Sequence, residues 1–326
     1  MSVYESTVCQ WADVRAKLGQ VNPYTAKKAR EKALLFVPFV AADIDEISPC
    51  DIEQALCILG SEGGRDGKGR STTTLRAAHL AATQAVDWAI SRGMAKTNPW
   101  RMVPRPKAAR TQAGFLELAS ANQLALFADQ ELQSCMQRGN VNHAAYCMAV
   151  VIALATGMRR GEIFALEWPK VGDTSLMVQQ AVKGDGSIGE PKSSAGVRML
   201  AIGENLARKL KEYKQWQSDH IPEREFGQRR YVIANNDGDM ANMSTFEHWW
   251  ARFRDMAGFH GLKFHELRHT HASLLIGNGV DVKTVQIRMG HSSADVTMNV
   301  YAHAMPRNDV ASAKLIDDAL YGEVVA

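Results

Sequence analysis

The chain has 326 residues, enough for two domains with separate cores, and 46% apolar against 22% charged residues is the balance of an ordinary globular protein. No apolar run is long enough to cross a bilayer, and no basic segment followed by an apolar stretch opens the chain, which argues against a membrane span and a signal peptide. Cys9, Cys50, Cys57, Cys135 and Cys147 are scattered without a Cys-x-x-Cys pair, which suits neither a disulfide framework nor a zinc ribbon and points to a reducing cytoplasm. Net charge is only +3, but ten Lys and Arg residues between Arg65 and Arg110 face just Asp66 and Asp87. Such a segment suits a phosphate backbone, with Arg70, Arg76, Lys96 and Lys107 as candidate contacts; a solvated helix face with a basic linker accounts for it equally well.

In chain order, Tyr24 to Ala41 reads as a helix with Pro38 near its end. Ser48-Pro49-Cys-Asp-Ile-Glu is a helix start, with Ser48 as cap and Pro49 in the first position. Ser61 to Gly69 is a Gly-rich loop, Ser71-Thr-Thr-Thr opens a helix running toward Gly93, and Asn98-Pro99 stops the helical pattern. The Pro-rich basic stretch Val103 to Gly114 contains the expected boundary: a helical domain at 1–108 (with a short extension, 1–22), a linker at 109–117, and a second domain at 118–326. In the second domain, His143 to Thr156 is a buried helix closed by Gly157. Leu176 to Ile202 alternates as a small antiparallel sheet with Gly-rich turns, and helices resume at Asn205. The fold class is mostly α with one small antiparallel sheet.

Three islands carry chemistry. In Thr156-Gly-Met-Arg-Arg-Gly-Glu162, Gly157 ends a buried helix and fixes the backbone from which Arg159 can aim a guanidinium fork at phosphate oxygens; a structural pairing with Glu162 is the plain alternative. In His265-Glu-Leu-Arg-His-Thr-His271, His265 and Arg268 share a helix face, as do His265 and His269. That pattern allows a zinc site with Glu266 as base, but a third ligand is missing and Arg268 would repel the metal. It also allows a proton-handling histidine beside an anion clamp. In Gly290-His-Ser-Ser…Thr-Met-Asn-Val-Tyr301-Ala-His, Tyr301 lies ten residues beyond His291. Each island alone has an ordinary structural explanation.

Taken in order, the three islands resemble the tyrosine recombinase family, often called phage integrases, over about Ser120 to the C-terminus. The resemblance implies an N-terminal helical core-type DNA-binding domain and a C-terminal catalytic domain. Arg159 corresponds to the family's first arginine, His265 and Arg268 to its middle pair, His291 to its His or Trp position and Tyr301 to the nucleophile. Pro191-Lys-Ser-Ser-Ala-Gly-Val-Arg198 nominates Lys192 as the hairpin lysine, ahead of Lys183. It further implies a site-specific recombinase or integrase that cleaves and rejoins double-stranded DNA through a 3′-phosphotyrosine, with no cofactor, metal or ATP. The expected assembly is a homotetramer on specific DNA sites, with a docking tail at about 305–326 and accessory DNA-bending or directionality proteins as further partners. Phage integration, mobile-element transfer and dimer resolution all stay open as roles. The rival functions are a type IB topoisomerase, which shares nucleophile and clamp, and a zinc metalloprotease reading of His265-Glu266-x-x-His269.

Overall fold

The computed structural model describes residues 1–64, 67–107, 114–191, 194–221 and 230–291, and in the tail 313, 314, 316, 317 and 320. The chain divides into two compact units, Met1–Thr111 and Gln112–Ala326.

The first unit is a helical bundle of α1 (Val3–Lys17), α2 (Pro23–Ala33), α3 (Pro49–Ser61) and α4 (Thr72–Ile90). Each start has a local cause. Ser2, Asn22, Ser48 and Ser71 accept backbone N–H groups of the first turns, and Ser48 and Asp51 form a reciprocal capping box ahead of Pro49. Alanines 78, 82, 85 and 89 of α4 are wholly buried on one stripe, and side chains this small let neighbouring helices approach closely. Trp100 fills the centre of the unit; its ring stacks on Tyr4 at 5.1 Å and meets the edge of Phe36. Residues 3–17, expected as part of a short extension, instead form α1, which buries Tyr4, Val8, Trp11 and Ala12 in this core. The helix expected to reach Ala41 ends at Ala33, because Leu34 to Phe36 tighten into a 3-10 turn that drives Phe36 inward.

The second unit is built on α5 (Leu118–Gln137), α6 (Val141–Thr156) and the short α7 (Arg160–Phe164). Two small antiparallel pairs follow: β1 (Ser175–Val178) with β4 (Arg198–Ala201), and β2 (Ala181–Val182) with β3 (Ile188–Gly189). α8 (Glu204–His220), α9 (Met243–Met256), α10 (Phe264–Gly277) and α11 (Val282–Met289) come after them. The architecture is mostly helical, and among the described residues the strands form two separate two-stranded pieces rather than one sheet. α6 is apolar on nearly every side and runs through the core, as its lack of charge requires. Phe246, Trp249, Trp250 and Phe253 of α9 pack with Tyr146 and Phe264 in a connected aromatic cluster. No helix among the described residues is long and apolar enough to cross a membrane.

His271 ties three of these elements together. Its Nε2 faces the Arg288 Nε at 3.1 Å, and because a guanidinium can only donate, Nε2 must accept. The proton therefore sits on Nδ1, which donates to the Leu154 carbonyl at 2.9 Å. Burial, and then the charges of Arg288 and Arg268, push this histidine down to about 4, while the Leu154 carbonyl works the other way. Protonation would put two donors face to face.

Two consequences are measurable. Replacing Trp100 by Ala removes the ring that Tyr4 and Phe36 pack on and should cost about 3–5 kcal/mol in urea unfolding of the full chain; a loss below about 1 kcal/mol would mean the first unit does not depend on this core. For His271 the folded value lies below the unfolded 6.5, so its contribution is present above pH 6.5 and is lost as pH falls toward 4. The buried ring makes the loss on the order of 3 kcal/mol, and His271→Asn should flatten the fall in melting temperature across that window.

Candidate active site

Two left-handed glycines shape the site. Gly157 ends α6 at φ +66°, and a side chain there would meet the His271 ring and the Met289 sulfur, each at 2.8 Å. Gly290 ends α11 at φ +63°, with no room for a Cβ against the Ala195 carbonyl at 2.8 Å. Helix α6 thus delivers Arg159 and α11 delivers His291, each on the far side of a sharp turn.

Between these turns lies Arg268, from the buried face of α10 and only 3% exposed. Its Nη1 donates to the Gly157 carbonyl at 2.7 Å and its Nη2 to the Met289 carbonyl, so it touches both turns. Arg159 Nη2 donates to the Gly290 carbonyl at 2.8 Å. The two guanidinium groups of the first and middle islands therefore converge on the turn that carries His291, although 109 residues of chain separate them.

Glu162 orders the arginine turn. Its carboxylate accepts the Arg159 backbone N–H at 3.0 Å and the Arg159 Nη1 at 2.8 Å. It also accepts Arg198 Nη1 at 3.2 Å and Nη2 at 2.9 Å. Burial alone would raise the Glu162 carboxyl, but Arg198 and then Arg159 hold it below the ordinary carboxylate range. The Arg159–Glu162 pairing that the sequence offers as the plain alternative is thus present, and Arg198 joins it. Arg198 was legible only as a mark of the Lys192 motif, and nothing in the one-dimensional pattern revealed that it is buried against Glu162.

Histidines 265 and 291 are both pushed down to about 4. Desolvation is the first cause in each; His269, Arg268, Arg159 and Arg160 add to it at His265, and Arg268, Arg159, His269 and Arg198 at His291. Both are neutral at pH 7 and able to accept a proton. His265 is exposed at the edge of a cleft of about 900 Å³, and its ring meets His269 edge-on at 5.0 Å. Arg159, Arg160, Lys183, Arg254 and Lys263 line that cleft, with Glu190 and Glu247 among them. Arg160 is ion-paired with Glu247.

Glu266, the base in the metalloprotease reading, is occupied with capping: its Oε2 accepts the Lys263 backbone N–H at 2.8 Å. Among the described residues no three His, Cys, Asp or Glu side chains converge as metal ligands. Lys192 and Tyr301 lie outside the described residues. Arg70, Arg76, Lys96 and Lys107 belong to the first unit; Arg76, Lys96 and Lys107 are exposed and Arg70 is half-buried.

The phage integrase family matches residues 123–307. A XerC-like tyrosine recombinase of Caldanaerobacter subterraneus subsp. tengcongensis is 25% identical over 277 residues, covering 77% of this chain and 67% of the relative. The ICEBs1 integrase of Bacillus subtilis is 28% identical over 178 residues, covering 52% of this chain and 48% of its own length. Among solved structures, the Tn1549 transposon integrase in complex with a circular intermediate DNA superposes with a TM-score of 0.71 at 20% identity, covering 95% of this chain and 99% of that one. A lambda integrase dimer bound to a COC′ core site gives 0.63 at 17% identity, covering 90% and 94%. The fold is shared with these integrases, the matched segment spans all three islands, and the chain belongs to the phage integrase family of tyrosine recombinases.

Proposed function

We propose that this chain is a site-specific DNA recombinase that breaks and rejoins DNA through a 3′-phosphotyrosine on Tyr301, without metal or ATP. The observation that carries the reading is the convergence of Arg159 and Arg268 on the backbone turn that bears His291. Two guanidinium groups anchored there can neutralise the non-bridging oxygens of one phosphate, the charge that grows as a phosphodiester is attacked.

In the proposed step the Tyr301 oxygen forms a bond to phosphorus and the bond from phosphorus to the 5′ oxygen breaks. The phenol proton passes to His265, which is neutral at working pH, and Lys192 supplies the proton that the 5′ oxygen takes up. A bound phosphate would offset the cations around His265 and make it a better acceptor than it is in the empty site. His291 donates a hydrogen bond to the phosphate. The phosphotyrosine keeps the energy of the broken ester, and a 5′ hydroxyl of the partner duplex reverses the step.

The first unit is then the core-type DNA-binding domain, gripping the backbone through Arg70, Arg76, Lys96 and Lys107. A homotetramer joins two duplexes. The tail beyond about 305 docks on a neighbouring copy, as Ile316 and Leu320, exposed at 56% and 67%, would favour. Accessory DNA-bending or directionality proteins would act on this assembly.

On nicked suicide duplexes taken from the gene's flanking sequence, the native chain should accumulate a covalent DNA adduct and Tyr301→Phe none. Arg268→Ala should slow adduct formation by about 10²–10³-fold, the usual cost of one preorganised charge-stabilising donor. An adduct that persists in Tyr301→Phe refutes the assignment of the nucleophile.

A further inference from the structure

We propose that Arg198 is a positioning residue for strand cleavage: its buried guanidinium locks the end of the hairpin to both turns of the site and so sets where the clamp stands. The inference rests on the function proposed above. β4 pairs with β1 in a register that places Arg198 opposite Val178, in the row facing the core with Leu200. Its side chain is 6% exposed, and its donors are directed to protein acceptors in three separate segments. Nε reaches the Arg288 carbonyl at 2.7 Å, Nη1 reaches the Gly196 carbonyl at 2.9 Å, and Nη1 and Nη2 hold the two oxygens of Glu162.

These bonds close a circuit. Arg198 holds Glu162, Glu162 holds Arg159, and Arg159 holds the Gly290 carbonyl. Gly290 in turn rests on the Arg198 guanidinium, where an added Cβ would stand 3.2 Å from Cζ. A planar fork with donors on two edges can serve acceptors on opposite sides at fixed angles. A lysine ammonium on a flexible stem cannot span both Glu162 oxygens and two carbonyls. Arg198 thus acts on the phosphate only through Arg159 and the His291 turn.

The test compares Arg198→Lys with the native full-length chain in single-turnover adduct formation. One suicide duplex carries the normal scissile phosphate, and a second carries a methylphosphonate there, with one negative charge fewer. DNA affinity should not change, while adduct formation on the normal duplex should fall by about 100-fold, as a clamp misplaced by about 1 Å would give. On the methylphosphonate the deficit should shrink to less than about tenfold, because less charge has to be met. Amide hydrogens of Gly290 and His291 should also exchange faster in the variant. Native rates in Arg198→Lys overturn the proposal, as does the same deficit on both substrates. If the native chain forms no adduct, the recombinase reading fails; amide exchange then still decides for Arg198, and unchanged protection overturns its hold on the turn. Arg198→Gln replaces the lysine variant in every arm if that variant does not fold.

Discussion

A buried carboxylate is the interaction on which the second unit's site depends. Glu162 is 2% exposed, and an ionised group so far from water is tolerated only when its oxygens are met by charge-assisted hydrogen bonds. Arg198 and Arg159 meet them from different chain segments, one on a strand and one on a turn. A pair of this kind adds little to stability over an apolar replacement, whereas removing one partner alone costs about 3–5 kcal/mol. Its physical value is therefore in direction: each guanidinium is obliged to stand where the carboxylate is. The hairpin, the arginine turn and the Gly290 turn are assembled around that obligation.

The concentration of cations has a second effect. Arg159, Arg160, Arg198 and Arg268 crowd a partly desolvated region, so nearby histidines resist a further positive charge. The same cations would favour a bound anion, and they hold the nearby histidines neutral. His271 obeys the same logic for a structural reason, since its tautomer is dictated by a donor that can never accept. Neutral imidazoles and permanent guanidinium charges thus stand side by side in this unit.

The first unit is organised by different means. Its helices begin at side-chain caps and close on a core of small residues around Trp100, with the basic residues left to the surface. This sets a unit whose cations lie toward the surface apart from one in which Arg198 and Arg268 are buried and directed.

Much of this was legible in one dimension, because it depends on local rules. Caps at Ser48 and Ser71, the buried apolar helix closed by Gly157, and the mostly helical class follow from periodicity and turn chemistry, and the order and wording of the three islands carry the family. What the sequence misplaces has a common cause. α1 looked like an extension because the stretch before Pro23 is too short for a packed domain of its own, and only contact with the rest of the bundle shows that it joins the core. β4 turns Arg198 inward with Leu200 and leaves Met199 65% exposed. The carboxylate that Arg198 meets lies 36 residues away, and no local window contains both partners. The sequence by itself determined the family and the mostly helical class, and it offered arginines of a kind that can meet a phosphate. Only the tertiary structure decided which acceptors Arg159 and Arg198 meet across the unit, because those acceptors lie 131 and 36 residues away.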